Sequence, residues 1–445
     1  RIISFMSEVD RELWRIGIPA KTRHNEVAPA QFEIAPVFEE LNLAIDHNMM
    51  IMEILRNTAE KHGFECLLHE KPFAGINGSG KHNNWSISVG DRNLLNPGTN
   101  PHENAIFMTT LCAVIKAVDE HADLLRSATA GAGNDHRLGA NEAPPAIISM
   151  FLGDQLSDII NQVEGGEAKS SKNRKFSKTG EDPPPPLPCD VTDRNRTSPF
   201  AFTGNKFEFR AAGSSQSCAS PNIVLNTIVA EAFDEIATKL EALSKAEFQK
   251  GLQKILQDIV KKHKRVVFNG DGYNDAWKKE AAKRGLPNLH NTPEALKPLV
   301  KPDNIALFEK YGVFKASELK SRYEVFMEEY TKKVHIEAAL ALNISKTMIM
   351  PACLEYLGKL SSDAAVAKTA GVKSAALTGK CKLVATLVDA LDKANVALET
   401  VLKKDATQPK IDAMNAVRAA ADKLELEVSD DLWPMPKYSE LLFVY

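Results

Sequence analysis

The pentapeptide Lys206-Phe207-Glu208-Phe209-Arg210 alternates three charged side chains with two phenylalanines. Residues two apart on a β-strand share a face. Phe207 and Phe209 are then expected to enter a hydrophobic layer, with Lys206, Glu208 and Arg210 side by side on the other face. Three adjacent charges are costly unless something polar sits opposite. A metal-bound polyphosphate with an acidic substrate would satisfy all three; an exposed salt-bridge ladder is the competing reading.

Three upstream segments repeat this association of charged or ligating groups with turn residues. The first runs Asn77-Gly78-Ser79-Gly80-Lys81-His82-Asn83-Asn84-Trp85-Ser86-Ile87-Ser88-Val89. Gly78 and Gly80 mark a turn where backbone approaches a ligand closely. A strand follows, with Trp85, Ile87 and Val89 on one face and His82, Asn84, Ser86 and Ser88 on the other. A neutral imidazole on a polar strand face is a good ligand for a divalent metal, or a hydrogen-bonded structural histidine. The spacing is not that of the Gly-x-x-x-x-Gly-Lys-Ser/Thr phosphate loop.

In the second segment, residues 23–34, Glu26 and Glu33 have an odd separation, which would put them on opposite faces of one continuous strand. Pro29 argues for two short strands instead, which can bring both carboxylates to one side. A carboxylate pair without a basic partner suits a hard cation such as Mg²⁺ or Mn²⁺; two solvated glutamates are the alternative. In the third, residues 134–145, Gly139 and the pair Pro144-Pro145 predict a loop. There Arg137 is suited to gripping a carboxylate or phosphate, and Glu142 to serving as a general base.

The elements that must position these groups are short strands alternating with two long helices, about 38–62 and 101–126. Leu41, Ile45, Met49, Met52 and Leu55 fall at helical spacing and read as core packing. After residue 235 the pattern is helical, over about 236–264, 317–345, 362–402 and 408–425. Residues 164–188, with Gly165-Gly166, scattered lysines and the run Pro183 to Pro186, predict a flexible surface loop. The fold class is α+β, with domains expected at 1–235 and 236–445. A hydrophobic fraction of 44% and a charged fraction of 25% fit a globular protein. With 55 basic against 58 acidic residues the net charge is −3, which gives no electrostatic case for nucleic acid or membrane. Six scattered cysteines without a Cys-x-x-Cys pair argue against a zinc site or disulfide framework and favour a reducing, cytoplasmic compartment, with an organelle possible. No apolar run is long enough to span a bilayer.

In order along the chain, HNEVAPAQFE, NGSGKHNNWS, NDHRLGANEAPP and DRNRTSPFAFTGNKFEFR resemble glutamine synthetase, most closely its long type III form. The resemblance covers about residues 1–235, and DDLWPMPKYSELLF near the end looks like the tail of that form. It implies a glutamine synthetase/guanido kinase-like catalytic domain of antiparallel strands backed by helices, followed by a helix-rich region. It implies a ligase that makes glutamine from glutamate, ammonia and ATP through a γ-glutamyl phosphate, with two divalent metals, Mg²⁺ or Mn²⁺. Carried over position by position, Glu26 and Glu33 match ligands of one metal, and His82 and Glu208 ligands of the other. Asn77 and Gly78 match the segment that holds the amino acid, and Arg137 and Arg210 the arginines for the substrate carboxylate and the transferring phosphoryl group. Ser86, Arg196 and Lys206 match positions beside the nucleotide, and Glu142 the residue that shields the acyl phosphate and takes a proton from ammonium.

Two departures accompany the match. The stretch Thr197 to Phe202 lacks a further arginine that the family usually carries, and the amino-terminal β-grasp domain and two more metal-binding glutamates are missing from this sequence. The chain is therefore expected to be a carboxy-terminal portion, inactive alone, of a protein that assembles as a homo-oligomeric double ring, a dodecamer by resemblance. The alternatives are a glutamate–amine ligase that uses another amine, and a catalytically inactive structural or regulatory relative.

Overall fold

The computed structural model describes residues 1–28, 30–166, 176–177, 187–188, 197–437 and 440. The chain divides into two compact units, Arg1–Phe326 and Met327–Tyr445.

The first unit opens with α1 (Ile2–Arg15), a hairpin of β1 (Ala20–Asn25) and β2 (Phe32–Pro36), and α2 (Leu41–Lys61). Phe5, Val9 and Leu13 of α1 pack on Ile51, Ile54 and Leu55 of α2 in a small core of their own. The buried stripe of α2 includes Ile51, Met52 and Ala59, so Met49 from the expected core set is exposed instead. Then come β3 (Gly80–Trp85), the short pair β4 (Ser88–Val89) and β5 (Arg92–Asn93), α3 (Ala105–Glu120), α4 (Ala122–Ser127) and α5 (Ala132–Arg137). Next are β6 (Met150–Phe151), α6 (Gly153–Gly165), β7 (Phe176–Ser177), β8 (Leu187–Pro188), β9 (Phe200–Phe202) and β10 (Phe207–Gly213). The loop expected at 164–188 lies largely outside the described residues.

One four-stranded sheet, in the order β3-β10-β9-β6, forms the floor of the site. It is antiparallel except where β6 runs parallel to β9. Its inner face carries the expected phenylalanine layer: Phe200 stacks on Phe207 with ring centroids 4.6 Å apart, and Phe209 closes on Phe200 edge-on. These rings join the buried helix α3, which Asn104 caps by accepting from the Phe107 amide at 3.1 Å. Val89 does not follow Trp85 onto this face. The chain leaves β3 after Trp85, and Val89 is exposed in the separate β4–β5 pair.

Helices α7 (Ala219–Glu241), α8 (Phe248–His263), α9 (Asp275–Lys283), α10 (Thr292–Leu296) and α11 (Pro302–Lys310) complete the unit. Leu252, Leu256 and Ile259 of α8, Trp277 of α9 and Phe308 of α11 are buried in the same core as α3. That shared burial moves the division of the chain from the expected 235/236 to 326/327. In the second unit the later part of α12 (Ala316–Ile344) is followed by α13 (Met350–Thr369), α14 (Ala375–Leu402) and α15 (Thr407–Glu425). Pro351 donates no amide hydrogen, and the chain widens into a π-turn over Ser345–Ile349 just before it. Val384, Leu391 and Leu398 of α14 meet Val417 and Leu424 of α15 in a separate core. The helix expected over 362–402 is broken at Gly371, which takes a left-handed φ of 75° before Ser374 caps α14. No helix among the described residues is long and apolar enough to cross a membrane.

Candidate active site

The β1–β2 hairpin resolves the odd separation of Glu26 and Glu33. Asn25 pairs with Phe32 and His24 with Glu33, and the Glu26 amide donates to Gln31 O at 2.9 Å, continuing the ladder. The turn between them puts Glu33 across from His24, on the face that His24 shares with Glu26. His24 Nε2 lies 2.7 Å from Glu26 Oε1 and 3.9 Å from Glu33 Oε2. One ligand atom from each of the three lies within 4.8 Å of the others. The Glu33 carboxyl is raised above its ordinary value, first by burial and then by a hydrogen bond shared with Glu26, while His82 opposes the rise. Two carboxylates held this close repel one another, and a hard divalent cation relieves that repulsion. The donors fit such an ion, and His24 is a donor the sequence reading passed over, although its two-residue spacing from Glu26 was visible. Glu33→Gln removes one charge from the set and is expected to weaken Mn²⁺ binding about tenfold or more, measured by calorimetry.

Glu208 and Arg210 project together from β10. Arg210 donates from Nε at 2.9 Å and from Nη2 at 2.7 Å to Glu208 Oε2. His82 Nδ1 stands 3.5 Å from Glu208 Oε1. Burial raises the Glu208 carboxyl, but the His82 hydrogen bond and the charge of Arg210 outweigh it and hold the group at about 2. Between Phe209 and Ala212 the ladder shifts by one residue, so Arg210 and Ala211 face only His82 on β3. Such a bulge twists a strand and re-aims its side chains. On the other side of β3, Asn83 and Asn222 exchange side-chain amide bonds at 3.0 and 3.1 Å, tying the strand to α7. The structure thus joins Glu26 to Glu33 and His82 to Glu208, with His82 close enough to act on Glu33. Lys206, expected on the strand face, lies instead in the β9–β10 turn, where its carbonyl accepts from the Thr203 amide at 2.9 Å.

Arg137 and Glu142 lie on one continuous stretch but in different environments. The expected loop begins as helix α5, and Arg137 at its end is buried. Its Nη2 donates to Arg210 O at 3.0 Å and its Nη1 to Asn134 Oδ1 at 3.2 Å, with Ala212 O at 3.4 Å. Burial pulls its guanidinium down to about 10. These donors hold β10 by its backbone, a use the sequence reading did not anticipate. Glu142 is exposed in the following turn at a left-handed φ of 58°, a conformation uncommon for a residue with a Cβ. Beside it stands Tyr273, whose phenol is pushed up to about 12 by burial and by the charges of Glu142 and Asp271. Nothing in the spacing of the sequence ties residue 273 to residue 142.

Asn77 and Gly78 lie in the loop before β3, where Gly78 O accepts from Gln31 Nε2 at 2.9 Å. Ser86 is exposed just past β3. Arg196 falls outside the described residues.

Comparison with known proteins gives these positions a context. Residues 2–131 match the model described as "Glutamine synthetase, catalytic domain", and residues 251–368 that described as "Glutamine synthetase C-terminal domain". The chain is 48% identical over its whole length to the type-3 glutamine synthetase of Dictyostelium discoideum, covering 63% of that protein. It is 43% identical, again over its whole length, to a glutamine synthetase of Butyrivibrio fibrisolvens, covering 65% of it. The chain thus spans somewhat less than two thirds of the length of these curated relatives. Among solved structures, apo GmaS without ligand aligns over 74% of this chain and 59% of its own, at 16% identity and a TM-score of 0.45. With two glutamine synthetase domain models matched in order, and this chain aligned over its whole length with relatives of that name, the chain belongs to the glutamine synthetase family.

Proposed function

We propose that the protein carrying this chain is an ATP-dependent ligase that joins ammonia to the side-chain carboxylate of glutamate through a γ-glutamyl phosphate. The observation that carries the reading is the juxtaposition of His24, Glu26 and Glu33 with the His82–Glu208–Arg210 set. Divalent cations, Mg²⁺ or Mn²⁺, would be held by Glu26 and Glu33 on one side and by His82 and Glu208 on the other, and would supply charge neutralisation for the phosphates.

The remaining work falls to side chains of this chain. Arg210 would hold the transferring phosphoryl group in this scheme, and its tie to Glu208 orients both groups. Asn77 and Gly78 line the loop assigned to the amino acid. Arg137 keeps β10 in place from behind through three strand carbonyls, and contact with the substrate carboxylate would require it to release some of them. Glu142 takes a proton from ammonium; the freed amine nitrogen then attacks the acyl carbon and phosphate leaves. Ser86, Lys206 and Arg196 are the nucleotide-side groups in this scheme. We infer further that the protein assembles as a homo-oligomeric double ring, a dodecamer by family resemblance, in the cytoplasm.

The test is to supply the full-length protein with ATP, glutamate, Mg²⁺ or Mn²⁺ and either ammonium or a series of alkylamines. Glutamine formation dependent on ATP and metal, with ammonium preferred, is the expected result. Preference for an amine would assign the chain to a different glutamate ligase, and no product with any amine would overturn the reading.

A further inference from the structure

Glu70 is a buried carboxylate that no part of the mechanism above uses. It sits in the segment leading to Asn77 and Gly78, and its side chain crosses to the far end of β10. There its Oε1 accepts from the Ser215 amide at 3.0 Å and from the Ser215 hydroxyl at 2.6 Å. Its own carbonyl accepts from the Ser79 amide at 2.9 Å. The Ser79 hydroxyl donates to His69 O at 3.0 Å, and the Ser214 hydroxyl to Leu68 O at 2.6 Å. Residues 68–70 are thereby tied both to Ser79 at the end of the loop and to Ser214 just past β10.

Three glycines leave space for this carboxylate and its backbone. A Cβ on Gly133, in the first turn of α5, or on Gly213, the last residue of β10, would overlap the Glu70 carboxyl. A Cβ on Gly78 would overlap the Glu70 carbonyl. One glutamate therefore keys together the loop before β3, the end of β10 and the start of α5. Its charge also acts on the buried Arg137 and, behind burial and Cys218, on the half-buried Lys81. A change at a buried charge is felt by the charges around it, so loss of the carboxylate disturbs more than its own bonds.

We infer that Glu70 is a positioning residue that sets the Asn77–Ser79 loop, and with it the amino-acid pocket, against the end of β10 and the start of α5. The inference rests on the ligase reading above, in which that loop holds glutamate. Glu70 touches no reacting atom; it acts through the loop backbone and through Arg137. Its effect should therefore fall on glutamate and spare the nucleotide, whose side of the site is built from other residues.

The experiment is steady-state kinetics on the full-length protein, with thermal unfolding run in parallel. Glu70→Gln keeps the shape and removes the charge, and is expected to raise the KM for glutamate about tenfold or more, with the KM for ATP within about twofold. Ser215→Ala removes one donor and leaves the carboxylate in place, so it serves if the first variant does not fold; a rise of about tenfold in the same KM is expected. Gly133→Ala pushes a methyl group into the carboxylate and should reproduce the pattern. An unchanged KM for glutamate in a folded Glu70→Gln or Ser215→Ala protein would overturn the inference. So would a loss in which kcat and both KM values move together with a lowered melting temperature, because that is the signature of packing alone. Wild-type protein that makes no glutamine and binds no glutamate overturns the ligase reading and this inference with it. Wild-type synthesis without a selective effect in the variants overturns the inference alone.

Discussion

Replacing Arg210 by alanine in the full-length protein is expected to cut glutamine formation about 100-fold or more, far beyond any loss of folded protein. The arginine is nearly enclosed, 4% exposed, and its Nε and Nη2 both meet the same oxygen of Glu208. If Arg210 also meets the transferring phosphoryl group, its charge counts most when charge develops there. Removing one such preorganised group costs about 100- to 1,000-fold in turnover. A second loss adds to the first. Glu208 is held at about 2 partly by this guanidinium, and without it the carboxylate is less firmly aimed. Arg210→Lys separates the two contributions, since lysine keeps the charge and gives up the fixed fork of donors. Lysine should recover part of the turnover but not the metal affinity that depends on Glu208 orientation. Circular dichroism on each variant measures the folded fraction. Near-normal turnover in Arg210→Ala, with ATP and Mn²⁺ binding intact, would mean that this strand face is a salt-bridge ladder and nothing more.

The parts of this site that were legible in the sequence are those carried by local periodicity. Phe207 and Phe209 alternate with Glu208 and Arg210, and β10 buries the first pair and joins the second. Pro29 argued for a break between Glu26 and Glu33, and the hairpin supplies one, although Pro29 itself lies outside the described residues. His24 obeys the same rule, two residues from Glu26 on one face of the hairpin. What remained hidden depends on contacts remote in sequence. Tyr273 reaches Glu142 from a loop well over a hundred residues away, and Glu70 meets Ser215 across a similar gap. Arg137 was placed by its type, which suits an anion, yet its burial follows from the backbone of β10, which no local pattern encodes. The division into compact units was hidden for a related reason. The helical pattern changes near residue 235, but whether α8, α9 and α11 join the core of α3 is a question of packing, and they do.

Glu142 offers the sharpest separation of amide formation from phosphoryl transfer. Glu142→Gln is expected to lower glutamine formation about 100-fold or more, the usual contribution of a positioned acid–base group. Glutamate-dependent release of phosphate from ATP should continue, because Arg210, Glu208 and His82 are untouched, and water should then consume the acyl phosphate that ammonia does not. The ratio of phosphate released to glutamine formed is the measurement, and it should rise well above one. The backbone at this position complicates a plain truncation, since Glu142 holds a left-handed φ of 58° that most side chains resist. Glu142→Gly adopts that conformation without strain and has no carboxylate. Glu142→Gln keeps the strain and the shape and also has none. If the carboxylate matters, both variants uncouple phosphate release from glutamine formation. If the strained turn matters, glutamine supports coupling and glycine does not. Tight coupling in both would remove Glu142 from the chemistry and leave the proton of ammonium to another base.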